Sequence, residues 1–201
     1  MIRAFVFPFL YCVLMGSAWS MAFKKKFSDS LAPALLLHII VVLLSGMLLH
    51  KLSIGIWGGI LFAAIVAVHG VRSFLPDVRS FLKHTWNHGL YVFTILYIFC
   101  FLLNFKKTFF QFDEFAQWGM FLKENLRLNA LYVESPLPFF HKDYVPAPVI
   151  FETIWCRLAG RFHEADVYRA IQMLMFSMVL PVFNSFQSFG NKMAIGSSAW
   201  T

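Results

Sequence analysis

Residues 31–50 read LAPALLLHIIVVLLSGMLLH, a stretch without a single Lys, Arg, Asp or Glu. A hydrocarbon core of roughly 30 Å is crossed by about 20 helical residues, so this stretch has the length of a membrane span. Lipid offers no partner to a free backbone N–H group, and an α-helix is therefore the conformation we expect. Asp29 and Ser30 stand just before it and Pro33 lies in its first turn, which is typical of a helix start.

Apolar stretches of this kind recur along the chain. Four others contain no Lys, Arg, Asp or Glu: residues 4–23, 52–71, 89–105 and 170–186. The last two are short for a span, but a bilayer can adapt to that length. The 201 residues are 59% hydrophobic and 13% charged, with a mean hydropathy of +0.68, outside the balance of a soluble domain. The sequence therefore predicts an all-α protein, a polytopic transmembrane helix bundle with about five spans.

The first apolar stretch has two interpretations. Arg3 precedes it and small residues, Gly16 to Ala18, lie near its end, as in a secretory signal peptide. Its apolar core is longer than a usual signal core, and Lys24, Lys25 and Lys26 follow directly, as at a cytoplasmic membrane face. We expect a retained span.

Basic residues in the short connections predict the orientation. The first connection carries Lys24, Lys25 and Lys26, the second only Lys51, and the third Arg72, Arg79 and Lys83. Because Lys and Arg accumulate on the cytoplasmic side, the first and third connections are expected there. Residues 106–169 and the N-terminus would then be extracytoplasmic. Lys106 and Lys107 argue against this orientation.

These assignments divide the chain into three regions. Residues 1–105 form a four-span transmembrane region, residues 106–169 an external loop, and residues 170–201 a fifth span with a short polar tail. The net charge of +7 would suggest nucleic acid in a soluble protein. Here the basic residues flank membrane spans, so the expected partners are membrane lipids and not nucleic acid.

Two parts of the external loop have the pattern of amphipathic helices. The first runs to about Tyr132 and places Phe115, Trp118, Leu122 and Leu126 on one side. The second, residues 146–162, places Phe151, Trp155, Leu158 and Phe162 opposite Thr153, Arg157 and Arg161. We expect both helices to lie in the membrane interface with the aromatic side toward the lipid.

The third span carries small residues at four-residue intervals: Gly55, Gly59, Ala63 and Ala67. Small residues on one face let a second helix approach closely, so this face is expected to pack against another span. His38 and His69 also lie within spans. A histidine there is a functional candidate, and the favoured interpretation is a hydrogen bond to a neighbouring helix.

The external loop opens with FDEFAQWG at residues 112–119, which places Asp113 beside Glu114 at the end of a span. Adjacent carboxylates at a membrane surface are costly unless water or a ligand meets them, so they predict a reaction site. The alternative is a helix start, with Asp113 as the N-cap and Glu114 in the first turn. Consecutive helical residues point about 100° apart, so one carboxylate would face the reaction while the other supports it.

This segment, with HKDYVPAP at residues 141–148 and the apolar helix ending at Gly160, resembles the first external loop of the GT-C superfamily. These integral-membrane glycosyltransferases include protein O-mannosyltransferases and aminoarabinose transferases, and they use polyprenyl-phosphate-linked sugars. The resemblance covers about residues 105–185. It implies a bacterial inner-membrane transferase whose partner is a lipid-linked sugar donor.

The resemblance also implies roles for particular residues. Asp113 would orient or deprotonate the acceptor hydroxyl, and Glu114 would assist it. The remaining predicted substrate-binding residues are His141, Lys142, Tyr144, Arg157 and Arg161. Lys142 and the two arginines are the cations that could stabilise the departing phosphate, although the arginines could equally contact lipid headgroups. No metal ligands are assigned, and among cofactors only a divalent cation stays open.

Several departures from the family pattern leave alternatives open. In the family the acidic loop follows the first span and the fold has many more spans, so we expect an N-terminal piece of a longer enzyme or a degenerate one. The other candidate is a non-enzymatic membrane protein, an assembly partner or a transporter fragment. His84 and His88 have the spacing of two metal ligands on one helix face, but no third ligand lies nearby.

Overall fold

The computed structural model describes residues 1–74, 88–138, 142–144 and 146–198, and for residues 74, 116 and 184–198 it describes the backbone alone. These residues contain seven α-helices and no β-strand. The helices are α1 (Ile2–Phe23), α2 (Phe27–Leu49), α3 (Leu52–Phe74), α4 (His88–Leu103), α5 (Gly119–Leu128), α6 (Ala147–Ala159) and α7 (Glu164–Ser198). A π-helical turn, Glu114–Trp118, precedes α5, and a 3-10 turn, Tyr132–Glu134, follows it.

Four helices are long and apolar enough to cross a membrane: α1, α2, most of α3, and Glu164–Phe183 of α7. The apolar helix α4 is shorter, with 16 residues. The chain is an integral membrane protein, and the prediction of an all-helical polytopic bundle is confirmed. Helix α7 begins before the predicted residue 170, because Glu164 and Asp166 occupy its first turn, where carboxylates favour the helix dipole.

Helices α2 and α3 approach each other closely at the small residues predicted for this purpose. A Cβ atom added to Gly55 would lie 2.7 Å from the Cα atom of Val42, and one added to Gly59 would lie 2.4 Å from the His38 ring. Ser45 Oγ accepts a hydrogen bond from the Gly55 amide at 2.9 Å. The contact therefore requires glycine at both positions of α3.

His38 joins three helices inside the bundle. Its Nδ1 atom is hydrogen-bonded to the Tyr11 hydroxyl of α1 at 2.8 Å, and its Nε2 atom lies 3.2 Å from the carbonyl oxygens of Gly55 and Ile56 on α3. The residue is buried. This confirms the interpretation of His38 as a structural residue bonded to its neighbours.

Three separate parts of the chain meet at one end of the bundle. Arg3 Nε at the start of α1 donates to the carbonyl oxygen of Leu158 in α6 at 3.2 Å. The backbone N–H of Leu52, which begins α3, donates to the Asn129 carbonyl at 2.8 Å. Residues 106–169 therefore share this end with the N-terminus and with the α2–α3 connection, and the α1–α2 connection lies at the other end.

Helix α6 is buried on both faces, whereas its sequence predicts one apolar and one polar face. Phe151 and Trp155 pack into the main core with α1, α2 and α4, and Val149 and Cys156 pack into a second cluster with Phe121 and Tyr132. Thr153, expected on the polar side, is buried; its hydroxyl donates to the Val149 carbonyl and accepts from Asn125. These bonds let a polar face be covered at little cost.

Candidate functional site

Glu114 is fixed at the start of the π-helical turn. Its Oε2 atom accepts hydrogen bonds from the backbone N–H groups of Phe110 and Gln111 at 2.9 and 3.0 Å. Its Oε1 atom accepts from the hydroxyl of Tyr168 in α7 at 2.6 Å. Desolvation raises the pKa of Glu114, but these donors and the charge of Lys107 outweigh it and hold the pKa below its usual value. Glu114 is an ionised carboxylate that ties the loop to α7.

Asp113 stands in a different situation from its neighbour. It occupies the N-cap position of the turn without making a side-chain capping hydrogen bond, and it is exposed. The capping role that the sequence allowed for Asp113 is therefore not the one found, and the adjacent Glu114 binds the backbone instead. Glu114 thus supports the structure and Asp113 faces the surroundings, while the catalytic roles expected of the two carboxyls stay predictions.

A cavity of about 400 Å³ lies between the π-helical turn, α6 and the start of α7. Its size is in the range of small-molecule sites. It is lined by Phe109, Glu114, Trp118, Pro148, Glu152, Val167, Tyr168, Ile171 and Gln172. Glu114, one of the two predicted acidic residues, thus lies at the wall of a cavity that the sequence did not predict, and Asp113 is not among the lining residues.

Glu152 is the most unusual residue of this cavity. It is 4% exposed, and its Oε2 atom has no hydrogen-bond partner among the described residues. Desolvation raises its pKa to about 8, because a charged carboxylate is unfavourable in apolar surroundings. Sequence reasoning missed Glu152, although a lone carboxyl in the apolar run IFETIWC was a usable signal.

The remaining polar wall comes from α7 and from the loop. Gln172 Oε1 accepts hydrogen bonds from Asn104 Nδ2 at 2.6 Å and from Cys100 Sγ at 2.9 Å, which holds the amide toward α4. The Trp118 ring stacks on Tyr144, with ring centroids 5.7 Å apart and planes inclined by 29°. The predicted residue Tyr144 thus touches the site through Trp118.

The three predicted cations are used elsewhere in the loop. Lys142 Nζ donates to the Ser135 carbonyl at 2.6 Å, and Arg157 Nη2 donates to the Leu126 carbonyl at 2.7 Å. Arg161 Nε lies 3.5 Å from Asp166 Oδ2. Among the described residues, none of the three lines the cavity.

Lys107 is the cation that the structure brings to the acidic pair. Its Nζ atom lies 4.0 Å from the centroid of the Tyr168 ring, and its charge contributes to the lowered pKa of Glu114. It lines a neighbouring hollow of about 310 Å³ together with Thr108, Phe162, His163 and Glu164. In the sequence Lys107 was noted only for its bearing on orientation.

Two predicted histidines lie beyond the residues for which geometry is available. His141, a predicted substrate-binding residue, and His84, half of the spaced histidine pair, are outside the described residues. Within the described ranges, no group of three or more His, Cys, Asp and Glu side chains could hold a metal ion. The divalent cation stays a prediction.

Three phenylalanines within three residues of Asp113 in the sequence expose apolar surface. Phe110, Phe112 and Phe115 are 70%, 80% and 50% exposed. Exposed aromatic side chains beside charged residues at the end of a span are typical of contact with the membrane interface. We call these three residues the phenylalanine rim.

No protein-family model, curated protein or solved structure matches this chain. The resemblance of residues 112–119 and 141–148 to the GT-C loop accordingly stays a prediction.

Proposed function

We propose that this integral membrane protein is a glycosyltransferase of the GT-C kind, or a piece of one. It transfers a sugar from a polyprenyl-phosphate donor to an acceptor hydroxyl on the extracytoplasmic side of the bacterial inner membrane. The acceptor oxygen forms a bond to the anomeric carbon of the sugar while the bond from that carbon to the phosphate oxygen breaks. The hydroxyl proton passes to the Asp113 carboxylate, and polyprenyl phosphate leaves.

The division of roles between Asp113 and Glu114 is the observation that carries this proposal. Glu114 holds the turn through three hydrogen bonds, and the turn presents the exposed Asp113 at the membrane end of the bundle. A general base must be accessible and held by a rigid support, and this pair supplies both conditions. The cavity behind Glu114 supplies space for a bound group.

The surroundings of Asp113 suit a lipid-linked donor. The phenylalanine rim offers an apolar surface on which an isoprenoid chain can lie. Lys107 lies within the same region, and a cation there would stabilise the negative charge of the departing phosphate. We assign this role to Lys107, because Lys142, Arg157 and Arg161 each bind carbonyl or carboxylate groups of the protein.

Replacement of Asp113 by asparagine tests the proposal. Asp113→Asn keeps the shape of the side chain but cannot take up the proton, so sugar transfer should fall by about a hundredfold or more. Transfer is measured in membrane vesicles with a labelled polyprenyl-phosphate sugar, at matched protein levels. Asp29→Asn, at the opposite end of the bundle, is the control and should be fully active. Turnover of Asp113→Asn equal to that of the unmodified protein would remove Asp113 from the mechanism.

The second candidate is a non-enzymatic membrane protein whose loop anchors it at the interface. The bonds of Glu114, Lys142 and Arg157 within the protein favour it, since these residues already have structural roles. Alanine at both Asp113 and Glu114 separates the candidates in a strain that lacks the native protein. Full complementation by the double variant supports the anchoring role and contradicts the enzyme.

A further inference from the structure

We infer that the cavity behind Glu114 binds an uncharged, hydroxyl-bearing ring, the sugar moiety of the substrate, and that Glu152 is its hydrogen-bond donor. The identity of the ring as a substrate rests on the proposed function, whereas binding itself does not require turnover. The inference depends on three features of the cavity: an unpartnered acid group, the sign of its charges, and its aromatic walls.

The first feature is the position of Glu152. Its side chain lies among the buried residues of α6, it lines the cavity, and its Oε2 atom has no partner within the described part of the chain. Buried polar atoms in folded proteins are nearly always hydrogen-bonded, so an exception at a cavity wall points to a ligand that supplies the partner. Desolvation raises the pKa of Glu152 to about 8, so the carboxyl carries a proton to donate near neutral pH.

The second feature is charge. Two acidic residues line the cavity, the ionised Glu114 and the protonated Glu152, and neither gives it a positive charge. A phosphate would be repelled by Glu114, and the nearby cation Lys107 lines the neighbouring hollow instead. Tyr168 lines the cavity, and its ring also contacts Lys107, which lines the hollow. Lys107 is not among the residues that line the cavity, so the cavity favours an uncharged group over a phosphate.

The oxygens of Glu114 further limit the ligand. Both accept hydrogen bonds from the protein, so little of this carboxylate is left for an ammonium group. A protonated Glu152 gives an ammonium group no counter-ion either. A hydroxyl group, which both donates and accepts hydrogen bonds, fits a neutral carboxyl better than an amine does.

The third feature is the aromatic wall. Trp118 and Tyr168 line the cavity together with the apolar side chains of Phe109, Val167 and Ile171. Apolar walls with a few placed polar groups are typical of ligand sites, and here the polar groups include the Gln172 amide. A sugar ring presents apolar C–H faces and a polar edge, which matches this division.

Binding is measured directly on the full chain in lipid nanodiscs, since sugar detergents carry the same chemistry as the probe. The probes are the methyl glycosides of glucose, mannose and galactose, with glucosamine and inorganic phosphate for comparison. Because Trp118 lines the cavity, at least one methyl glycoside should change the tryptophan fluorescence in a saturable way. Trp118→Phe should lose that change.

Two variants of Glu152 distinguish hydrogen bonding from packing. Glu152→Gln keeps the volume and a donor, so glycoside affinity should stay within about threefold, whereas Glu152→Met should weaken it by about tenfold, the loss expected for one buried hydrogen bond. Glu134→Gln, outside the cavity, is the matched control. Ile171→Trp fills the cavity while residue 152 stays glutamate, and it should abolish binding even if Glu152→Met does not fold.

Several results overturn the inference. These are the absence of a fluorescence change with every glycoside, a change that persists in Trp118→Phe or Ile171→Trp, and competition by inorganic phosphate. Binding of glucosamine alone would overturn the neutral-ligand assignment. Sugar transfer with no glycoside binding contradicts this inference and leaves the proposed function standing, while binding with no transfer from any donor contradicts the proposed function alone.

Discussion

The bundle of α1 to α3 and the segment from Asn104 to Arg169 differ in how completely their buried polar side chains are hydrogen-bonded. In the bundle, His38 is bonded to Tyr11 and to α3, and Ser45 is bonded to the Gly55 amide and the Lys51 carbonyl. Every buried side-chain N or O atom without a hydrogen-bond partner in the described residues lies in the later segment. Asn104 Oδ1, Glu152 Oε2, Trp155 Nε1, Arg157 Nε, Asp166 Oδ2 and Arg169 Nε are these atoms.

Buried side-chain atoms without a hydrogen-bond partner are thus concentrated in one segment of the described residues. A bundle in lipid gains nothing from unpaired polar atoms, because each one costs free energy. Of the six atoms, Glu152 Oε2 belongs to a residue that lines the cavity, and a buried polar atom without a hydrogen-bond partner at a cavity wall is the pattern of a binding region.

Removing a charge from the buried ion pair of the later segment should have the largest effect on stability. Arg169 Nη1 lies 2.6 Å from Asp166 Oδ1, and both residues are buried. Arg169→Met leaves Asp166 without this partner and should destabilise the protein by about 3 to 5 kcal/mol. The measurement is thermal unfolding in nanodiscs. Glu134→Gln, which breaks the exposed contact with His50, is the control and should change stability by about 0.5 kcal/mol or less.

Glu152 should make stability depend on pH. Its pKa rises from 4.5 to about 8 on folding, so over that range the unfolded chain has lost a proton that the folded chain keeps. The contribution of Glu152 to the free energy of unfolding is therefore fully present below pH 4.5, falls as the pH rises, and levels off above about pH 8. Glu152→Gln should match the unmodified protein in stability near pH 4.5 and exceed it near pH 8, by about 4 kcal/mol at roughly 1.4 kcal/mol per pH unit between the two values. A difference in melting temperature between Glu152→Gln and the unmodified protein that is the same at both pH values would contradict this prediction.

The close contact of α2 and α3 gives a test within the well-satisfied bundle. Gly55→Ala places a methyl group against the backbone of Val42 and should destabilise the protein by about 1 to 3 kcal/mol. Gly58 is the matched control, because no atom lies within 4 Å of a Cβ added there. Gly58→Ala should leave stability unchanged or raise it by up to about 1 kcal/mol. Equal effects of the two changes would show that the close approach does not decide stability.

Tyr168→Phe should have the smallest effect and sharpen the role of Glu114. The variant removes one of three hydrogen bonds to the carboxylate and should cost about 1 kcal/mol of stability. Because that bond helps to hold the pKa of Glu114 down, the pKa should rise in the variant. Carboxyl chemical shifts of labelled glutamate, followed against pH, report it. An unchanged pKa would assign the lowering to Lys107 and the backbone donors.

The sequence predicts the bundle better than it predicts the site, for a physical reason. Uncharged stretches and small residues act locally or between neighbouring helices, so the spans and the Gly55 and Gly59 contact could be found by pattern. Burial of α6 on both faces depends on which elements lie on each side of it. An amphipathic pattern alone does not contain that information.

The same limit explains the residues found only in the structure. Asp113 and Glu114 could be selected from the sequence because they are adjacent carboxylates. Glu152 and Tyr168 line a cavity with Glu114, and only the fold brings these three residues together. Lys107 contacts the ring of Tyr168 in α7, and the hydroxyl of Tyr168 donates to Glu114. The position of Lys107 near Glu114 therefore depends on a residue of a helix distant in sequence. The predicted cations, Lys142, Arg157 and Arg161, instead contact carbonyl and carboxylate groups of the protein.

The bond from Arg3 to the Leu158 carbonyl joins the start of the first helix to a residue 155 positions later. Gly160, with a φ of 76°, ends α6 directly against the same guanidinium. Synthesis proceeds from the N-terminus, so α1 enters the bilayer long before α6 leaves the ribosome. Within α1 the Arg3 guanidinium has the Phe7 ring as a neighbour, whereas its bond to Leu158 can form only after α6 has been synthesised, so this bond joins the two ends of the described bundle late in assembly.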